Sequence, residues 1–123
     1  MTNSYYIVNV LEVGSEASLM LEEKMIILFN NTVPQDLKSI AFVHDGGELK
    51  GVIKAGDQMV IDGEDFDILF VGDKANETMK DMGHATFHFN GETSSELPGT
   101  VCLEEKPIPQ IDTNSTISFK KVR

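Results

Sequence analysis

The chain is cut into short apolar runs, each closed by glycine, asparagine, aspartate or proline, and this punctuation limits what it can become. Residues 5–10 are rich in aromatic and β-branched side chains. Residues 25–29 form an apolar run that stops at Asn30-Asn31, and residues 40–43 form a shorter one. Residues 58–61 and 66–71 flank Asp62-Gly63-Glu64-Asp65, the pattern of a hairpin with a tight Asp-Gly turn. Residues 84–89 alternate, with Ala85, Phe87 and Phe89 on one face and His84, Thr86 and His88 on the other. Residues 100–103 and 116–119 complete a set of about eight strands.

Helix signals are few. Residues 34–38 suit a single turn, with Thr32 as a weak cap and Pro34 near the first position. Residues 73–82 suit a helix that Asp73 caps and Gly83 stops, with Met79 and Met82 on one face. Residues 15–24 fit a short amphipathic helix or an acidic loop. The expected fold is therefore all-β, a closed antiparallel β-barrel of short strands with one or two short helices outside. Leu97-Pro98-Gly99 and Pro107-Ile108-Pro109 punctuate loops, and no linker or internal repeat is evident. A single domain over residues 1–123 is expected.

Charge narrows the partners. Twenty acidic residues against ten basic ones give a net charge of -10. That field repels nucleic acid and anionic membranes and favours a basic protein partner, although from charge alone plain solubility ranks first. The lone Cys102 has no internal disulfide partner, which points to a reducing, cytoplasmic setting. No leader pattern opens the chain, and no run approaches the roughly 20 apolar residues of a membrane helix. The chain is thus expected to act from solution and not to insert in a membrane.

The chemistry centres on Phe42-Val43-His44-Asp45-Gly46-Gly47-Glu48-Leu49-Lys50-Gly51. An apolar run delivers His44 to a glycine-rich turn, holding an imidazole still on one side and open on the other. His84 and His88 on one strand stand about 13 Å apart, too far for a common ion, and a zinc site from His44, His84 and one carboxylate stays open although nothing in the spacing requires it. No serine lies in a nucleophile elbow, and Asp45-Gly46-Gly47-Glu48 lacks the length and following helix of a nucleotide loop. Histidine itself remains as a reacting group. A neutral imidazole can attack phosphorus through one nitrogen while an acceptor fixes the proton on the other. Backbone N–H groups of Gly46 and Gly47 can form an anion-binding concavity, Lys50 can supply a point charge, and His84 a second imidazole.

The same stretch, from Phe42 through Gly51, resembles the signature of the glucitol/sorbitol-specific IIA component of the bacterial phosphoenolpyruvate-dependent sugar phosphotransferase system. Leu69-Phe70-Val71-Gly72, Met82-Gly83-His84-Ala85-Thr86-Phe87-His88-Phe89 and Leu97-Pro98-Gly99-Thr100-Val101 resemble later sections of that family, in order. The resemblance implies a closed β-barrel in which His44 is the phosphohistidine. It implies that His44 takes phosphoryl from the phosphocarrier HPr and passes it to a IIB unit of a membrane-associated IIB/IIC sugar permease. His84 matches a histidine of the family's Gly-His segment and is a candidate phosphoryl-stabilising helper, with Gly46, Gly47 and Lys50 as phosphate contacts. No metal or organic cofactor is expected for the transfer. Some members carry a second histidine two places after the phosphorylated one, where this chain has Gly46. A homodimer through edge strands or the exposed loop is compatible with the pattern. The alternatives are a non-catalytic β-barrel binding or regulatory module, and a metal-dependent hydrolase using His44, His84 and carboxylates.

Overall fold

A computed structural model describes residues 4–122. In chain order the elements are β1 (Ser4–Val13), α1 (Ala17–Glu22), β2 (Met25–Asn30), α2 (Gln35–Lys38), β3 (Phe42–His44), β4 (Gln58–Ile61), β5 (Glu64–Val71), α3 (Ala75–Met82), β6 (Ala85–His88), β7 (Thr100–Leu103) and β8 (Thr116–Lys120). The eight strands close into a barrel in the order β1-β3-β2-β6-β7-β5-β4-β8.

The barrel is mixed, which corrects the expectation of a purely antiparallel one. β2 pairs with β3 in parallel, and so does β6 with β7. Parallel neighbours need a crossover of about a dozen residues in place of a hairpin. Residues 31–41 and 89–99 are those crossovers, and their prolines and polar residues read locally as ordinary turns. Three short helices are present among the described residues, one more than the upper expectation. The segment 15–24 that fitted either helix or loop contains α1.

Local chemistry accounts for most boundaries. Asp62 and Gly63 both take positive φ, 48° and 88°, as a two-residue type I′ turn between β4 and β5 requires. Gly83 ends α3 in the left-handed conformation, as expected. Asp73 does not cap that helix: Lys74 occupies the cap position without a side-chain bond. Nor does Thr32 cap α2: Pro34 sits there, and the Thr32 hydroxyl donates instead to Asn30 Oδ1 at 2.6 Å.

The barrel interior is filled by Phe42, Phe66, Phe87, Phe89 and Phe119, each at most 1% exposed. Burying such a ring is worth about 1.5–3 kcal/mol relative to leaving it in water. A second, smaller core lies outside β2 and β3, where Ile27, Phe29, Ala41 and Val43 pack under Met20, Val33 and Ile40. β2 is thus apolar on both faces and shows no alternation. On β3, Phe42 belongs to the interior and Val43 to the outer core, so strand alternation turns His44 inward.

The two halves of the barrel repeat one another, a feature not evident from the sequence read along its length. A shift of 58 positions takes the pair Val8 and Ile117 of β1 and β8 onto the pair Phe66 and Met59 of β5 and β4. Backbone bonds repeat likewise, with the shift growing to 59 for residues 24–46. Gly14 N–H donates to Ala41 O at 2.8 Å and Gly72 N–H to Thr100 O at 2.9 Å. Val10 N–H donates to Ser115 O and Ile68 N–H to Asp57 O. The Asp45 carboxylate accepts Asn9 N–H, and the Glu104 carboxylate accepts Asp67 N–H. The visible sequence trace is slight: Val13-Gly14-Ser15-Glu16-Ala17 against Val71-Gly72-Asp73-Lys74-Ala75.

Candidate functional site

His44 closes β3 and is completely buried, although Asp45, Gly46 and Gly47 after it are exposed. Both ring nitrogens are bonded to backbone. Nε2 lies 2.8 Å from the Gly83 carbonyl, and Gly46 N–H lies 3.0 Å from Nδ1. A carbonyl only accepts and an amide N–H only donates, so the pair of contacts dictates the tautomer. The proton is on Nε2 and the lone pair on Nδ1. Desolvation pushes the ring's pKa below the ordinary histidine value, outweighing the opposite pulls of the Gly83 carbonyl and the Asp45 charge. The buried imidazole is therefore neutral and nucleophilic at Nδ1 near neutral pH.

Each neighbour has a reason to be what it is. Gly83 takes φ +59°, and a Cβ there would lie 2.4 Å from His44 Cε1 and 2.6 Å from Nε2. One glycine thus both stops α3 and lets its carbonyl meet the ring. Gly46, at φ +75°, reverses the chain so that its own N–H returns to the His44 ring two residues earlier. Asp45 ties this turn to β1: its carboxylate accepts Asn9 N–H at 3.0 Å, and its own N–H donates to Asn9 O. Gly47 lies against β1 so closely that a Cβ would approach Ile7 O to 2.6 Å. The segment then runs back along β1 until Lys50 N–H donates to Tyr5 O at 3.0 Å. Tyr6 presents its ring to His44 edge-on, with centroids 6.3 Å apart and planes at 88°.

The expected residues do not all gather at one point. His44, Gly46 and Gly47 do. Lys50 is exposed at the far end of the segment, beside a shallow cleft of about 270 Å³ that Tyr6 and Glu48 also line. His84 turns elsewhere. Its Nδ1 bonds the Leu28 carbonyl at 3.0 Å and its ring stacks on Phe29 with centroids 4.0 Å apart. Phe29 faces the outer core, whereas Asn30, next along β2, pairs with His44 in the ladder. Consecutive strand residues face opposite ways, so the two imidazoles occupy opposite sides of the wall. Among the described residues, no three His, Cys, Asp or Glu side chains cluster as metal ligands.

Two neighbours of the His44 ring have no signal of that role in the sequence. Locally Gly83 reads as a helix stop within the Gly-His segment, and Tyr6 as a strand residue. Neither role has a local signal, because Gly83 meets His44 across 39 positions of chain. A cleft of about 640 Å³ lies not at His44 but beside Leu21, Lys24, Glu105 and Lys106. By the internal repeat this is the counterpart of the His44 site in the other half.

A closed barrel that buries a neutral, tautomer-locked histidine beneath a glycine turn defines a small histidine-bearing β-barrel domain. A solved structure of the same shape is the PTS system IIA component from Enterococcus faecalis V583. It superposes with a TM-score of 0.80 at 26% identity, over 93% of this chain and 98% of that one. The glucitol/sorbitol-specific EIIA components of the PTS system from Shigella flexneri and Escherichia coli (strain K12) are each 32% identical to this chain over 119 residues, 96% of it and 96% of theirs. The chain belongs to the family of PTS system glucitol/sorbitol-specific IIA components, whose profile matches residues 5–118. No helix among the described residues is long and apolar enough to cross a membrane.

Proposed function

We propose that His44 carries a phosphoryl group between phospho-HPr and the IIB unit of a glucitol/sorbitol permease, acting from the cytoplasm. The observation that carries this reading is the pair of backbone bonds on the ring, which leaves Nδ1 as the nucleophile and Nε2–H as a fixed donor. Nδ1 attacks phosphorus, the N–P bond of the donor breaks, and its electron pair returns to the donor's imidazole. No proton needs to move in that step. The ring gains positive charge as the new N–P bond forms, and the Gly83 carbonyl at 2.8 Å stabilises it through Nε2–H. Gly46 N–H, displaced from Nδ1, is placed to donate to a phosphoryl oxygen, with Gly47 beside it.

Burial sets the order of events. With His44 wholly covered, the exposed segment 45–47 must move aside before a donor imidazole can reach Nδ1. Docking by a partner supplies that displacement, and the reaction then proceeds away from bulk water. His84 has a supporting part in this reading. By fixing Leu28 and Phe29 it holds the start of β6, and with it the Gly83 carbonyl.

The test is phosphorylation by enzyme I, HPr and phosphoenolpyruvate, read by intact mass at mildly alkaline pH. One phosphoryl group is expected on the wild type and none on His44→Ala. Label on both would move the site elsewhere, and label on neither would favour a binding or regulatory barrel. NMR of the labelled protein should place phosphorus on Nδ1; phosphorus on Nε2 would contradict the tautomer argument.

A further inference from the structure

Among the described residues, one buried side-chain polar atom lacks a hydrogen-bond partner, and it is the hydroxyl of Tyr6. The residue is 2% exposed. A phenol in that state loses its bonds to water and gains nothing for them, so a phenylalanine would pack there with less cost. The neighbouring Tyr5 shows the usual arrangement: its hydroxyl donates to Asp57 Oδ2 at 2.8 Å. Two adjacent buried tyrosines of β1 thus differ in one respect, and the unsatisfied one is the one whose ring meets His44.

Direction matters as well. His44 Nε2 points across the barrel wall to Gly83, at the start of β6. Nδ1 points the other way, to Gly46, on the segment that lies along β1. Tyr6 is on β1, and its phenol is close enough to Asp45 to be pushed up to about 12 by burial and by that carboxylate. The hydroxyl therefore stays protonated at any working pH, on a ring that meets the His44 imidazole edge-on and within the field of Asp45, the residue next to His44.

We propose that the Tyr6 hydroxyl is a phosphoryl-binding catalytic group, donating a hydrogen bond to an oxygen of the phosphoryl group while His44 carries it. The proposal rests on His44 being the acceptor. Without phosphoryl the donor is orphaned; with it, the donor is satisfied. The hydroxyl is then a group held ready where negative charge arrives, and it costs no reorganisation at that moment.

Tyr6→Phe removes one oxygen and leaves the ring packing on Phe119 and His44 in place. The expected result has two parts of opposite sign. Thermal unfolding should be unchanged or shifted upward. The single-turnover rate of transfer from phospho-HPr should fall about tenfold or more, with the phospho-HPr concentration for half-maximal rate unchanged. The 31P resonance of the phosphorylated variant should also move from its wild-type position. Wild-type rate and 31P shift in Tyr6→Phe, with the wild type labelled on His44, would overturn the Tyr6 role alone. An unlabelled wild type, or a labelled His44→Ala, would overturn the acceptor assignment beneath it.

Discussion

The two halves of this barrel share a backbone plan and differ in what they do with it. Where the first half buries His44 at the end of β3, the second buries Leu103 at the end of β7. Gly46 has Glu105 as its counterpart. Gly83, which receives the His44 ring, has Lys24, likewise in a left-handed conformation at φ 62°. Asp45 and Glu104 make the same bond to β1 and β5, so the turn is anchored alike in both halves. What differs is the filling: an imidazole between two glycines on one side, an aliphatic chain with a Lys24–Glu105 ion pair over it on the other. The scaffold provides a buried strand end, a tethered turn and a carbonyl at a helix stop. Chemistry needs a nucleophile there and small residues around it.

The largest effect expected from breaking this contrast is at the two strand ends. His44→Ala should abolish phosphoryl acceptance by intact mass while the fold persists by circular dichroism. Leu103→His should not create a second site. It places an imidazole at a wholly buried position without the glycine turn, at a cost of about 1–3 kcal/mol in urea unfolding. A second phosphoryl group on that variant would mean the scaffold alone suffices.

The helix stops come next. Gly83→Ala sets a methyl 2.4 Å from the imidazole at a left-handed backbone position. A loss of about 1–3 kcal/mol and a transfer rate lowered at least about tenfold are expected. Wild-type kinetics in that variant would remove Gly83 from the site. Lys24→Gly, at the equivalent position, should leave the transfer rate untouched, and a drop in rate there would show the halves to be coupled.

Smaller effects follow from the buried rings. His44 is harder to protonate in the folded state, so the unfolded chain binds the extra proton first as pH falls below about 6.5. Stability is full above that value and declines below it, and His44→Gln should flatten this acid limb of a urea-midpoint profile. Tyr6 has the opposite sense: burial holds its proton on, so its contribution is full below pH 10 and is lost as pH rises toward about 12. Tyr6→Phe should reduce the alkaline decline, to which Tyr5, also raised by burial, still contributes. An acid limb unchanged in His44→Gln would mean the ring is not desolvated in solution.

The smallest expected effect is in the second half's surface. Lys24 and Glu105 are both more than half exposed, so Lys24→Ala should change neither the transfer rate nor, in 0.15 M salt, the unfolding midpoint by much. A marked loss of activity would give the large cleft beside them a part in the reaction.

The sequence by itself determined the strand runs, the Asp62-Gly63 turn, the glycine stop of α3 and the placing of His44 before a glycine turn. Each rests on neighbours within a few positions, where φ preference, alternation and capping act directly. The Phe42–Gly51 stretch, together with the later segments that follow it in order, also suggested the family. Only the tertiary structure decided the two parallel pairings, since a crossover and a hairpin use the same local residues and differ in which distant edge is free. It also decided the tautomer of His44, because the Gly83 carbonyl comes from the other half of the chain. For the same reason it separated the imidazoles of His44 and His84, which the order of residues had put in one candidate site. Strand alternation acts once the wall is built, and it turned one ring into the barrel and the other onto Phe29 outside.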